Sequence, residues 1–475
     1  MGKTDRVRAR RLGQTLVIAG RTAAGLALGR MPSRKARAPA GPALAPVAAA
    51  FHELGATYVK LGQLIGSAPG VFGPSLADAF RTLLDAGPPV PIDQIRAVIE
   101  ADLGRPMSDV FASFEAKPIA AASIAVVHRA TLLTGEFVAV KVLRPNIGSV
   151  VDTDVALLGP VIRFLARQGV EAAAPVQQFF GGLREQVAVE LDLRNETAAM
   201  ERFRSIYEDN GLDLIVIPAV HPHACGERTL TMELLDGKSI DDPVATDWAG
   251  ADPRALLLQL LKAWFTTAIV DGVFHGDLHA GNLLLLRDGR LGVIDWGILG
   301  RLDPATHWIF RRMLQACLGD PTGWEDVAEA YRQAGVSMQD DFDISDGAAA
   351  TLARSQIEPI LTRPLRRVDL TKLVVTSRHV AEAARPDAGP ETLRERLERI
   401  RTVRRFSRRV VDAGLRENAF DRANFMLGKQ LMYVERFGKM YLPDVALLND
   451  RAFVRRLLQT PGPPSPLRAG VSPAS

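Results

Sequence analysis

The sequence predicts an α+β fold with two lobes, a small β-rich lobe followed by a larger and mostly helical one. β-type residues dominate Phe111–Val142 in the first half of the chain. Apolar residues at helical spacing mark Pro253–Val270 and much of the segment from His307 to Leu458. Between these helical parts, Leu283–Leu286 and Leu291–Ile294 form a predicted hairpin around a glycine-containing turn.

Length and composition indicate a folded protein with room for two lobes. The chain has 475 residues, of which 47% are hydrophobic and 24% charged, and a net charge of +4. Cys225 and Cys317 lie far apart without His or Cys neighbours at metal-binding spacing, which indicates a reducing compartment. The most apolar stretch, Leu256–Phe274, contains charged residues, so we interpret it as a buried helix and expect no transmembrane segment.

The N-terminal residues 1–45 are rich in Arg and Lys around a short apolar run, Leu16–Gly20. The functional interpretation of this pattern is a basic helix that lies on an anionic membrane surface. A solvated basic leader followed by a Pro/Ala linker at Ala38–Pro46 is the alternative. We then expect a helix from Val47 to Gly66 and another over Ile92–Leu103, which Pro91 opens and Gly104 closes.

The small lobe contains a lysine in an unusual setting. Lys141 lies in the apolar strand Phe137–Val142, where a charge needs a partner. About twenty residues upstream, four residues occupy the place of a glycine-rich phosphate loop: Ala120, Ala121, Ala122 and Ser123. Their Cβ atoms should alter how closely the backbone approaches phosphate.

Further along, Phe179–Tyr207 is predicted to be one long amphipathic helix that carries Glu190, Asp192 and Glu196. Six residues of helix turn Glu196 about 120° away from Glu190, so the two carboxylates could face different partners. Leu230–Leu235 is a predicted strand that ends at Asp236-Gly237, a plausible hinge between the lobes.

The strongest signal for function surrounds the hairpin. Asp277 and Asn282 are five residues apart, as in the catalytic loop of protein kinases, and Asp295 opens Asp295-Trp296-Gly297, a Trp version of the kinase D-F-G motif. A hairpin brings its ends together, so Asn282 and Asp295 could bind one Mg²⁺ while Asp277 faces the attacking group. Solvated Asp/Asn/Gly turns are the alternative, but three such groups in this order favour a phosphate–metal site.

Together these segments resemble the UbiB/AarF-type atypical kinases, a protein-kinase-like family associated with ubiquinone biosynthesis. The resemblance covers roughly residues 45–450. It rests on six segments: Tyr58–Gln63, Pro118–Ala125, Val138–Val142, Glu190–Asp192, Phe274–Asn282 and Asp295–Gly297.

The resemblance implies a role for each matching residue. Lys141 would bind the α- and β-phosphates of ATP or ADP and pair with Glu196. Asn282 and Asp295 would bind Mg²⁺, and Asp277 would be the catalytic base. The Lys-x-Gly-Gln motif, with Lys60, Gly62 and Gln63, would lie across the substrate cleft, where Lys60 pairs with Glu190 of the Glu-x-Asp motif.

The resemblance also implies an atypical kinase or ATPase that acts in isoprenoid quinone or lipid metabolism rather than on proteins. A nucleotide-binding scaffold for a lipid-modifying complex and a small-molecule phosphotransferase are the alternatives. We expect a cytoplasmic location, with possible peripheral attachment at the inner face of the membrane. The arginine-rich segments lack interleaved aromatic residues, so nucleic acid is not an expected partner.

The predicted organisation is a basic leader, a helical extension, a kinase-like N-lobe with a helical insert, a mainly helical C-lobe and a disordered tail rich in Pro, Gly and Ser. Their expected bounds are residues 1–45, 46–105, 106–237, 238–458 and 459–475.

Overall fold

The computed structural model describes most of the chain between residues 90 and 467. The described residues are 13–15, 17–18, 21, 41–55, 57–59, 61–62, 79–80, 90–167, 187–333, 346–368, 427, 430, 434 and 438–467. Lys60, Gln63 and most of the predicted basic leader lie outside them.

The described helices and strands alternate irregularly along the chain. The helices are α1 (Gly41–Leu54), α2 (Ile92–Leu103), α3 (Ile147–Arg167), α4 (Leu193–Asp209), α5 (Ala245–Ala249), α6 (Pro253–Val270), α7 (Pro304–Cys317), α8 (Gly323–Gln333), α9 (Asp346–Thr362) and α10 (Arg451–Leu458). The strands are β1 (Phe111–Ala121), β2 (Ala125–Leu132), β3 (Phe137–Leu143), β4 (Ile215–Val216), β5 (Thr229–Glu233), β6 (Gly237–Ser239), β7 (Val273–His275), β8 (Leu283–Leu286), β9 (Leu291–Val293) and β10 (Leu299–Arg301).

The chain forms two compact units. The first comprises residues 1–204, 217–236 and 294–297, and the second comprises residues 205–216, 237–293 and 298–475. The chain passes between the units five times: within α4, after Val216, after Asp236, after Val293 and after Gly297.

The first unit contains a four-stranded antiparallel sheet in the order β1-β2-β3-β5. Val138, Val140 and Val142 of β3 pack into one core with Ile95 and Ile99 of α2. Side chains alternate between the faces of a strand, so Lys141 points to the opposite face of the sheet. The helix that covers the valines was predicted correctly, with its bounds, because Pro91 precedes it and Gly104 ends it at a φ of 66°.

The predicted helix Val47–Gly66 is wrong at its start and in its continuity. Helix α1 begins at Gly41, within the expected linker, and ends at Leu54. Gly55 has a φ of 89° and donates its N–H to the Phe51 carbonyl at 3.1 Å, which closes the helix. Helical backbone resumes at 57–59, where Tyr58 is buried against Leu54 and Ala50.

The predicted single helix Phe179–Tyr207 is also wrong. Residues 187–190 are helical, Leu191 and Asp192 are not, and α4 starts at Leu193. The Leu193 N–H donates to the Glu227 carbonyl at 2.8 Å, and the Asp192 carboxylate accepts from the Arg194 N–H at 3.1 Å. Asp192 therefore caps a new helix, and the rotation argument for Glu190 and Glu196 does not apply.

The second unit contains the predicted hairpin. Strands β8 and β9 pair antiparallel with Leu283 opposite Val293, and Gly289 in the turn has a φ of 84°. Strands β4 and β6 complete this sheet in the order β4-β9-β8-β6, and β7 pairs separately with β10. The hairpin and its turn are confirmed.

Helices form the rest of the second unit. Helix α6 has the predicted bounds and is capped by Asp252, whose carboxylate accepts from the Arg254 N–H at 2.9 Å. Helix α7 begins at Pro304 rather than His307, because the Asp303 carboxylate caps it through the N–H groups of Ala305 and Thr306. Among the described residues, none of the helices is both long and apolar enough to span a bilayer.

The predicted disorder of the tail is wrong for residues 460–467. Arg311, which is buried, donates to the carbonyls of Leu458 at 2.9 Å and Thr460 at 2.6 Å. Leu467 packs against Ile309 and its neighbours in α7 and α8. The composition of the tail does not support a helix or strand of its own, but contacts from the helices hold its backbone. Residues 468–475 lie outside the described part.

Candidate functional site

In the first unit, Lys141, Glu196 and Asp295 form a cluster that we call the Lys141 cluster. The Lys141 ammonium lies 2.8 Å from each carboxylate oxygen of Glu196 and 3.3 Å from Oδ1 of Asp295. The side chain of Glu196 is 3% exposed, that of Lys141 11% and that of Asp295 40%. The predicted pair between Lys141 and Glu196 is therefore present, and Asp295 gives the cluster its open side.

Backbone N–H groups that follow Asp295 hold the carboxylates of Glu196 and Asp295 in position. The Trp296 N–H donates to Glu196 Oε1 at 3.2 Å, and the Gly297 N–H donates to Asp295 Oδ1 at 3.0 Å. The Trp296 ring is 1% exposed and lies 4.7 Å from the ring of Phe203 on α4. The tryptophan thus attaches its own segment to the helix that carries Glu196.

The electrostatics of the Lys141 cluster keep the Lys141 ammonium charged. Burial would lower the pKa of Lys141, but Asp295 and Glu196 together raise it above its ordinary value. Burial raises the pKa of Glu196, and the Lys141 ammonium opposes that shift. An ammonium held in this way is a fixed positive charge, as phosphate binding requires.

The alanine-rich segment is a tight turn at the end of β1. Ala120 and Ala121 belong to the strand, and Ala122, Ser123 and Ile124 make the turn. The Ala122 N–H donates to the Ala125 carbonyl at 2.9 Å. Arg144, three residues after Lys141, donates from Nε and Nη2 to the Ala122 carbonyl at 3.1 and 3.0 Å. Sequence reasoning missed Arg144, although a second charge at the end of this apolar strand was a visible signal.

In the second unit, the loop that follows β7 carries Asp277 and Asn282. The Asp277 N–H donates to Nδ1 of His275 at 3.1 Å, and the Asp277 carbonyl accepts from the His279 N–H at 2.9 Å. Ser239 of β6 donates to the Ala280 carbonyl at 3.1 Å. The loop backbone is therefore held at several points, which gives Asp277 a defined position.

Asn282 has the chemistry of a ligand for a hard cation. Its Nδ2 donates to the Asp277 carbonyl at 3.0 Å, which fixes the orientation of the amide and leaves the amide oxygen for another partner. Amide and carboxylate oxygens are the protein ligands that Mg²⁺ prefers. Asn282 and the half-exposed Asp295 therefore fit the predicted metal in their donor type.

Gln430 also holds this loop and was missed by sequence reasoning. Its side chain is fully buried, and its Oε1 accepts from the Leu278 N–H at 3.3 Å. The two residues are 152 positions apart, so no local pattern could indicate the contact.

The proposed cleft-covering motif is only partly described. Gly62 is buried and Glu190 is 8% exposed, whereas Lys60 and Gln63 lie outside the described residues. The pair between Lys60 and Glu190 stays a prediction. Asp192 forms an ion pair with Arg194 at 2.6 Å in addition to its capping bond, and the hydrogen bond from the Arg194 side chain lowers the pKa of its carboxyl group.

Comparison with known proteins places these features in a family context. Residues 82–324 match the family described as the ABC1 atypical kinase-like domain. An uncharacterized protein of Mycobacterium tuberculosis is 34% identical over 395 residues, which are 83% of this chain and 74% of that protein. A chloroplastic aarF domain-containing protein kinase of Arabidopsis thaliana, itself uncharacterized, is 32% identical over 83% of this chain and 71% of its own length.

A probable protein kinase UbiB of Marinobacter nauticus is 30% identical over 82% of this chain and 65% of its own length. Among solved structures, the complex of Rv3197 with erythromycin from Mycobacterium tuberculosis matches with a TM-score of 0.39 and 20% identity, over 70% of this chain and 84% of that one.

Proposed function

Because the chain belongs to the ABC1 atypical kinase-like family, which confirms the predicted resemblance and kinase-like fold, we propose that it binds Mg·ATP and transfers or hydrolyses the terminal phosphoryl group. The Lys141 cluster carries this proposal. A lysine at 2.8 Å from a buried glutamate and 3.3 Å from a half-exposed aspartate is the arrangement that kinases use to hold nucleotide phosphates.

Each residue has a distinct part in the proposed reaction. Lys141 neutralises the α- and β-phosphates, and Glu196 holds its ammonium in place. Asp277 orients the attacking hydroxyl or water and accepts its proton. Asn282 and Asp295 supply oxygen ligands for Mg²⁺. The metal, when bound, spreads the negative charge that develops on the transferred group.

We further propose isoprenoid quinone or lipid metabolism as the setting, with a lipid or quinone precursor as the substrate class. Relatives named as probable protein kinases UbiB support this idea through their family's association with ubiquinone biosynthesis. Peripheral contact with an anionic membrane, suggested by the basic residues before position 41, is part of the proposal. A scaffold that binds nucleotide without turnover is the alternative, suggested by alanines in place of a glycine-rich phosphate loop.

An ATP-turnover assay with and without anionic liposomes tests the proposal. We expect Mg²⁺-dependent turnover that rises with liposomes and that Asp277→Asn removes. Asp288→Asn is the matched control, because Asp288 lies in the exposed hairpin turn of the same unit and pairs with Arg290. Nucleotide binding without any turnover would favour the scaffold, and the absence of both would refute the proposal.

The metal assignment has its own test. Asp295→Asn removes a carboxylate ligand, so Mg·ATP should no longer raise the melting temperature of this variant as it does for the wild type. An equal rise in both proteins would refute the role of Asp295.

A further inference from the structure

Arg144 combines deep burial with a contact to the alanine-rich turn. The residue is 7% exposed, and two nitrogens of its guanidinium donate to one acceptor, the Ala122 carbonyl, at 3.1 and 3.0 Å. Its backbone N–H donates to the Ile124 carbonyl at 2.9 Å. Arg144 thus binds two of the three residues that make the turn.

The backbone of Arg144 is held by the segment that contains Glu227 and Arg228. The Arg228 side chain donates to the Arg144 carbonyl at 3.3 Å. The N–H groups of Glu227 and Arg228 donate to the Asp102 carboxylate of α2 at 3.1 and 2.9 Å. The lack of a side chain at Gly226 leaves room for the Asp102 carboxylate, because a Cβ there would lie 2.4 Å from one of its oxygens. A continuous set of contacts therefore joins α2 to the turn.

The hydrogen bonds from Arg144 to the Ala122 carbonyl determine the orientation of the Ala122–Ser123 peptide group. A peptide bond is planar and trans, so the Ser123 N–H points opposite to the Ala122 carbonyl and therefore away from Arg144. Within the described part of the chain, neither the Ser123 nor the Ile124 N–H donates a hydrogen bond to another residue. Ser123 is half-buried, so the residue is partly accessible from outside. Successive free N–H groups in a turn form a concave site for anions.

We propose that Arg144 is a positioning residue for nucleotide binding, which fixes the Ala122–Ser123 peptide so that the Ser123 N–H donates to a phosphate oxygen of a nucleoside di- or triphosphate. This inference rests on the proposed function. It explains how a turn without glycine can bind a phosphate group. In a glycine-rich loop the peptide groups can adopt many orientations. Here the hydrogen bonds from Arg144 select one orientation for the Ala122–Ser123 peptide.

Binding of ATP, ADP and adenosine to Arg144→Met, Arg144→Lys and the wild type, measured by calorimetry in Mg²⁺, tests the inference. Loss of one oriented hydrogen bond should weaken ATP and ADP binding to Arg144→Met roughly tenfold, while adenosine binds as before. The lysine variant should recover part of the loss, because its ammonium offers a donor to the same carbonyl. Arg105→Met is the matched control, since Arg105 also donates to a backbone carbonyl, that of His223, in the same unit.

The outcomes separate this inference from the proposed function. If the wild type binds no nucleotide, the proposed function fails and this inference falls with it. If the wild type binds ATP and Arg144→Met binds it equally well, or loses adenosine affinity to the same extent, only the positioning role is overturned.

A measurement on the wild type keeps the inference testable if Arg144→Met does not fold. Amide hydrogen exchange at Ser123 and Ile124 should slow on addition of Mg·ATP and not on addition of adenosine. Unchanged exchange at both amides in the presence of bound ATP would overturn the inference.

Discussion

At the scale of single residues, the Lys141 ammonium offsets part of the cost of burying the Glu196 carboxylate. Glu196 is 3% exposed, and its partners in the cluster are Lys141 and the Trp296 N–H. Lys141→Met would leave a buried carboxylate beside Asp295, and breaking such a pair costs about 3–5 kcal/mol. We therefore expect urea unfolding without nucleotide to show a loss of this size at neutral pH.

The double variant Lys141→Met with Glu196→Gln provides the control. It removes the buried negative charge together with the ammonium, so most of the lost stability should return while ATP affinity does not. If the double variant is no more stable than Lys141→Met alone, the loss comes from packing rather than from the unpaired charge.

His128 makes the stability of the first unit depend on pH. Its Nδ1 donates to the Glu115 carbonyl at 2.8 Å, and its buried Nε2 contacts no hydrogen-bond partner among the described residues. Burial lowers the pKa of His128 below its ordinary value. The neutral ring therefore adds stability above about pH 6.5, and this contribution is lost as the pH falls from there toward the lower pKa of the folded state.

His128→Gln should accordingly lose less unfolding free energy than the wild type when the pH is lowered from about 7.5 to about 5.5. His307→Gln serves as a comparison in the second unit, because burial also lowers the pKa of His307. His307→Gln should keep the part of the pH dependence of the unfolding free energy that His128 causes. Identical pH profiles for His128→Gln and the wild type would contradict the assignment.

At the scale of helices and strands, local signals decided which predictions succeeded. The helix Ile92–Leu103 was predictable because Pro91 and Gly104 bound it within the sequence itself. The break before α4 was not, because it depends on the Glu227 carbonyl, 34 residues after Leu193, as well as on Asp192. A capping aspartate inside an otherwise amphipathic run was the one local sign of that break.

Asp192 should therefore act first as a helix cap. Asp192→Ala should lower the unfolding free energy by about 1 kcal/mol, whereas Asp192→Asn, which can still accept from the Arg194 N–H, should lose much less. Urea unfolding of both variants tests this. If the two lose the same stability, the ion pair with Arg194 rather than the cap is what matters.

A close contact also constrains the strand pair that leads into the Asp277 loop. Gly300 of β10 lies opposite Phe274 of β7, and a Cβ at Gly300 would come 2.1 Å from the phenyl ring. Gly300→Ala should destabilise the protein by about 1–3 kcal/mol through overpacking. Combining it with Phe274→Leu should restore part of this loss in a double-mutant cycle, and purely additive effects would show that the contact is not the cause.

At the scale of the whole molecule, motifs predicted the pair between Lys141 and Glu196 but not the residues that hold the two loops. Lys141, Glu196 and Asp295 were identified from family motifs, and their mutual contacts follow from sheet and helix geometry. The residues that hold the loops, Arg144 and Gln430, act on backbone groups 22 and 152 positions away. Contacts to backbone leave no trace in the type of the partner residue, so the sequence shows the charge of Arg144 but not the backbone group that it binds.

The chain's last described residues show the same dependence on distant contacts and give the final prediction. Arg311 is buried, and its guanidinium also donates to the Ile269 carbonyl at the end of α6, at 2.7 Å. Removing residues 460–475 would take away the Thr460 carbonyl from this guanidinium and Leu467 from its apolar contact. A buried donor left without one acceptor costs about 1–3 kcal/mol, so urea unfolding should show a loss of that order. Removing only residues 468–475 should leave stability within about 0.5 kcal/mol. If both truncations unfold alike, Arg311 is satisfied without the tail and residues 460–467 add nothing to the second unit.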